Sequence, residues 1–151
     1  MPAVEQSLRI ENQTIIRAPR SRVWKALTTP SEFSTWFRAT LSGKEFRVGE
    51  SLDGVSTYPG CEGKGFSLEI MEKSPESRFA WRWWPGASAP EEPKTTVVFE
   101  LEEVEGGTRV KVTETGFDRM SLERRAKSFE GNSKGWAIQM QNIHDYVEQN
   151  A

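Results

Sequence analysis

Leu8, Ile10 and Ile16 alternate with polar residues as far as Arg17, and a period of two marks a half-buried first strand. Pro19 then suits the first turn of a helix, and Val23, Trp24 and Leu27 follow at helical spacing. Thr29 and Glu32 have the spacing of a capping box, with Pro30 at the first helical position. Phe33, Trp36 and Phe37 form the apolar stripe of that second short helix. From Ala39 to Phe117 the pattern is β: Phe46 and Val48, then Phe66, Leu68 and Ile70, then Phe79, Trp81 and Trp83, then Val97, Phe99 and Leu101, each run alternating. Gly106-Gly107 marks a hairpin turn into Val110 and Val112. Pro85 to Pro93 has no periodicity and reads as a long loop.

Asp118 or Ser121 caps a brief helix to about Phe129, and Gly131-Asn132-Ser133 opens the last element. Trp136, Met140, Ile143 and Val147 recur at helical spacing, giving an amphipathic helix to about Gln149, roughly 25 Å long. The expected order is strand, two short helices, about six antiparallel strands, long C-terminal helix: one α+β domain over residues 1–151. One helix cannot fill a curved sheet from end to end. The gap is either plugged by aromatic rings or left open as a pocket.

Trp81-Arg82-Trp83-Trp84 sharpens that choice, because Phe79, Trp81 and Trp83 share one strand face. Large rings in a row suit a wide core or the wall of a cavity equally well. The candidate ligand-binding set is Trp36, Phe37, Phe66, Phe79, Trp81, Trp83, Phe99, Trp136, Met140 and Ile143, with Glu114. Glu114 has the parity of Val110 and Val112 and should point inward. There it serves a ligand hydroxyl or general acid–base chemistry, or it sits wet at the strand end as a structural group. Arg82 and Glu100 face away from the rings and suit a surface ion pair. Tyr58 and Arg38 fall in loops near the expected cavity mouth.

A length of 151 residues suits one domain, and a hydrophobic fraction of 36% means the apolar residues must be concentrated in few elements. A net charge of −2 leaves no electrostatic footprint for nucleic acid. The basic cluster from Arg119 to Lys127 includes Glu123 and reads as a solvated helix face rather than a phosphate site. One cysteine, Cys61, permits no disulfide within the chain, which suits a reducing compartment. No basic segment followed by an apolar run opens the sequence, and no stretch reaches membrane-span length. The expected location is cytoplasmic, without integral membrane association. One histidine, His144, and one cysteine make no zinc constellation, and no cofactor is expected. His144 flanks the last helix stripe; a Cys61–His144 pair arises only if the fold joins them.

The chain resembles a known family in Ile16-Arg17-Ala18-Pro19, Val23-Trp24-Lys25-Ala26-Leu27-Thr28 and Trp36-Phe37. The likeness continues through Leu68-Glu69-Ile70, Phe79-Ala80-Trp81-Arg82-Trp83, the run from Thr108 to Phe117, and Gly135-Trp136. These stretches look like the helix-grip fold of the START-like superfamily, also called SRPBCC. Within it they resemble the C-terminal domain of the activator of heat-shock protein 90 ATPase. The resemblance implies a cavity under the long helix for an apolar or aromatic small molecule. Its relatives also imply a cyclase-type enzyme or a co-chaperone-like interaction module; a cyclase- or hydrolase-like reaction in this chain would use the inward-pointing Glu114 in that cavity. The chaperone activators carry a further N-terminal domain without counterpart here, which makes a chaperone partner the weakest of these implications. Some relatives are named after vanillate demethylase reductases. An iron–sulfur cluster of that kind needs four thiolates, against one cysteine here, and no dinucleotide fingerprint follows a strand. Monomer and homodimer both stay open.

Overall fold

The computed structural model describes residues 8–84 and 93–150. β1 (Ile10–Ile16) leads into two short helices, α1 (Arg20–Thr28) and α2 (Pro30–Phe37). Six strands follow: β2 (Ala39–Leu41), β3 (Ser51–Ser56), β4 (Gly65–Ser74), β5 (Arg78–Trp83), β6 (Thr95–Val104) and β7 (Gly107–Thr115). A 3-10 turn at Phe117–Arg119 precedes α3 (Leu122–Gln149). The seven strands form one antiparallel sheet in the order β1-β7-β6-β5-β4-β3-β2. It is an α+β helix-grip fold: a meander whose first strand returns beside its last, with α3 laid across the sheet. The Pro85–Pro93 loop expectation falls, but for Pro93, outside the described residues.

Local chemistry explains most boundaries. Pro30 stands at the start of α2, and Thr29 is the N-cap residue. The expected capping box does not form, because the Thr29 side chain makes no cap bond. Glu32 is drawn into a tertiary cluster instead. Its carboxylate accepts from Tyr146 of α3 at 2.9 Å and pairs with Arg22 of α1 at 2.8 Å. That cluster pins all three helices together. At the other end of α2, Arg38 adopts a left-handed conformation (φ 60°) and turns the chain into β2.

Three further expectations are corrected. Phe46 and Val48 lie outside any strand; Phe46 is nevertheless buried, while Val48 is exposed. Arg82 pairs with Glu69 of β4 at 3.2 Å, not with Glu100. The register puts Arg78 opposite Glu100, and that pair forms at 3.2 Å. Finally, no break occurs at Gly131. α3 runs unbroken for 28 residues, about 42 Å, because a lone glycine weakens a helix without ending it.

The core lies between the sheet's concave face and the stripe Trp136, Met140, Ile143 and Val147. The rings expected to wall a deep hollow pack against one another here. Phe79, Trp81 and Phe99 are fully buried, and Trp36, Trp136 and Met140 nearly so. Trp81 sits at the hub, with ring centroids 5.5 Å from Phe99, 5.7 Å from Phe79, 5.9 Å from Phe33 and 6.2 Å from Trp136. Most of these contacts are edge-on or tilted, the arrangement that ring quadrupoles favour. Burying each such side chain contributes about 1.5–3 kcal/mol.

Candidate functional site

β5, β6 and β7 bring Trp83, Thr95 and Glu114 to one end of the sheet, beneath Asn132 and Trp136 of α3. Glu114 points inward as its parity requires, and it is completely buried. It is neither wet nor free. Oε1 accepts from Trp136 Nε1 at 2.8 Å and from Asn132 Nδ2 at 2.9 Å. Oε2 accepts from Thr95 Oγ1 at 2.6 Å, Trp83 Nε1 at 2.8 Å and Asn132 Nδ2 at 3.1 Å. Indole and amide N–H groups only donate, and a carboxylate offers about four lone-pair directions. These contacts use them all. A general acid or base needs a reacting atom within about 2.6–3.2 Å, and the protein already holds those places. The carboxylate therefore anchors the helix to the sheet.

In front of this anchor an open cleft of about 380 Å³ remains. Ser56, Tyr58, Cys61, Lys64, Gly65 and Phe66 line one wall, from the end of β3 to the start of β4. Gly131, Asn132, Lys134, Gly135, Ile138 and Gln139 of α3 line the other. Phe37 and Trp83 stand at the inner end, and the exposed Trp84 also borders the cleft. A smaller recess of about 120 Å³ continues inward and is bounded by Phe37, Trp83, Asn132, Gly135, Trp136 and Gln139. Ring centroids there stand 5.9 Å apart for Phe37–Phe66, 6.2 Å for Phe66–Trp83 and 6.0 Å for Trp83–Trp136.

Polar groups fix the rim. Gln139 Nε2 donates to the Phe37 carbonyl at 2.9 Å and ties α3 to the end of α2. Arg38 lies over the Tyr58 ring at 5.7 Å, and Lys94 over Trp84 at 4.6 Å. Lys94 also pairs with Glu69 at 3.1 Å. Hydrogen bonds from Arg82 and Lys94 hold the Glu69 carboxyl below its ordinary pKa. Among the described residues no group of three or more His, Cys, Asp or Glu is placed to hold a metal ion. No described helix is long and apolar enough to cross a membrane.

Of the residues singled out from the sequence, Phe37, Phe66, Trp83 and Trp136 border the cleft or its recess. Trp36, Phe79, Trp81, Phe99, Met140 and Ile143 form the buried layer beneath it. Tyr58 and Cys61 line the cleft. His144 instead pairs with Asp145 at 2.9 Å and Glu148 at 3.1 Å farther along α3, so it is not joined to Cys61. Sequence reasoning missed Asn132, Thr95, Gly131 and Gly135. Asn132 and Trp136 stand one helical turn apart, as do Gly131 and Gly135, and that spacing was visible in the sequence. It loses its meaning once a helix start is placed at Gly131.

The sequence profile of the family described as "Activator of Hsp90 ATPase homolog 1-like protein" matches residues 17–148. No curated protein matches the sequence. Similar solved structures include a Mesorhizobium loti protein, 16% identical, with a TM-score of 0.78 over 95% of this chain and 98% of that one. A Nitrosomonas europaea protein is 22% identical, with a TM-score of 0.76 over 95% and 96%. The Aha1 dimer from Colwellia psychrerythraea is 21% identical, with a TM-score of 0.73 over 93% and 96%. At these identities the likeness extends to the fold alone. That fold is consistent with a ligand-binding or interaction module.

Proposed function

Because the chain belongs to the activator of Hsp90 ATPase homolog 1-like family, we propose that it uses the helix-grip fold to bind a small apolar or aromatic molecule. One observation carries this reading: the deep core is filled by interlocked rings, yet aromatic side chains still border an open cleft of about 380 Å³. That volume falls within the usual range for small-molecule sites, which are mostly apolar with a few placed polar groups. Phe37, Phe66, Trp83 and Trp136 supply ring surface, and Tyr58, Asn132 and Gln139 supply the polar edge. Trp36, Phe79, Trp81, Phe99, Met140 and Ile143 act from behind, as the packed bed that holds those rings. A cyclase- or hydrolase-like reaction through Glu114 is disfavoured, since protein donors already occupy both its oxygens.

The test uses the uncharged probe N-phenylnaphthylamine. Saturable quenching of tryptophan emission is expected, together with slower alkylation of Cys61, the chain's single cysteine. Unsaturable quenching with Cys61 reacting at an unchanged rate would overturn the proposal.

A further inference from the structure

We propose that the ligand is an amphipathic anion: a planar apolar body carrying a carboxylate or similar acid at its outer end. This rests on the cleft being a small-molecule site and names the class of molecule it takes.

The charges around the cleft are one-sided. Lys64 projects from the sheet wall and Lys134 from the helix wall, while among the described residues no aspartate or glutamate lines the cleft. Lys64 has no ion pair among the described residues. Lys134 pairs with Glu130 at 3.2 Å, but both side chains are more than two-thirds exposed (75% and 71%). Such a pair exchanges readily for a ligand anion. The neighbouring acids are engaged elsewhere: Glu69 with Arg82 and Lys94, and Glu62 with the backbone N–H of Gly60 at 2.8 Å.

The inner end has the opposite character. Trp83, Trp136 and Asn132 border the recess, but all three turn their side-chain N–H groups onto Glu114, so two indoles and an amide stand there with their donors already committed. An acid placed there would find no donor from those three and would stand against the Glu114 carboxylate behind them. The apolar body therefore goes inward and the acid outward, between the two lysines. The helix wall also favours a flat body. A Cβ placed on Gly131 or Gly135 would meet no atom within 4 Å, so both glycines leave bare backbone facing open space.

Naphthoate and its uncharged methyl ester separate the two ideas when titrated against the intact protein at neutral pH and low salt. An exposed ion pair gives up to about a fivefold gain, so two lysines should favour naphthoate on the order of tenfold. The preference should collapse in the Lys64→Gln/Lys134→Gln variant and at high salt, with ester binding unchanged. The surviving ester affinity also shows that the variant is folded. Equal affinities in the native protein would overturn the charge inference and leave the cleft reading standing. Binding of neither compound would overturn both.

Discussion

The Trp136 indole donates to Glu114 Oε1 at 2.8 Å, joining the middle of α3 to the end of β7 across the interior. Asn132, one turn earlier on α3, donates to both oxygens of the same carboxylate. The helix is thus registered on the sheet by an acceptor that no apolar contact replaces. Glu114→Gln should cost about 2–3 kcal/mol, because on either side the introduced amide N–H₂ faces an indole and the Asn132 amide, which only donate, and the Thr95 hydroxyl is the one partner able to accept. Thr95→Val removes one donor and leaves the others, and should cost about 1 kcal/mol. Denaturant unfolding of the two variants checks both size and order. Equal, negligible losses would show that the anchor contributes nothing.

Gly131 and Gly135 give a prediction of opposite sign. Neither would clash on gaining a Cβ, and helix propensity favours alanine by about 1 kcal/mol per site. Gly131→Ala and Gly135→Ala should each raise stability by roughly 0.5–1 kcal/mol, a gain of a few degrees in Tm. Binding of N-phenylnaphthylamine should weaken in the same proteins, most in Gly135→Ala, since Gly135 borders both cleft and recess. Thermal melts beside titrations would read the trade-off directly.

Gly54 of β3 is buried beside one of the rings that border the cleft. It stands opposite Phe66 in the sheet, and a Cβ there would overlap the Phe66 ring. Gly54→Ala should force that ring toward the cleft it borders, costing about 1–3 kcal/mol as overpacking. A paired loss of stability and of probe affinity is expected. Restoring both by shortening the neighbour, in Gly54→Ala/Phe66→Leu, would identify the ring as the cause.

Acid should loosen the rim of the cleft. The Glu69 carboxyl titrates below its ordinary value, chiefly through hydrogen bonds from Arg82 and Lys94. Glu72 is lowered likewise by Ser74 and Arg78, and Asp145 by His144 and Gln141. For a lowered carboxyl, the unfolded chain binds the proton more readily than the native one. The stabilisation is therefore complete above the ordinary carboxylate range and drains away as pH falls through that range and below it. Glu69→Gln should flatten part of this acid limb and free Lys94, which lies over Trp84. Urea midpoints measured across the acidic range would show it.

The inward aim of Glu114, the stripe from Trp136 to Val147 and the order of elements were all legible along the chain. Each is a periodicity, and a periodicity needs only near neighbours. Glycine at position 131 misled the same kind of reading, since a weak helix former inside a long helix looks like a boundary until packing overrides it. The four side chains that donate to Glu114 could not be read in this way. Trp83, Thr95, Asn132 and Trp136 come from three elements and meet only because α3 lies at one particular distance and rotation over the sheet.

The hollow followed the same division. From its own residues the chain determined a curved antiparallel sheet, a long covering helix and a row of large rings between them. Tertiary structure alone decided which rings became core and which became wall. Ring volume is conserved, but where the leftover space falls depends on the summed fit of every layer. Phe79, Trp81 and Phe99 close the middle of the grip, and the space that survives lies at its open end, between Phe66 and Gly135.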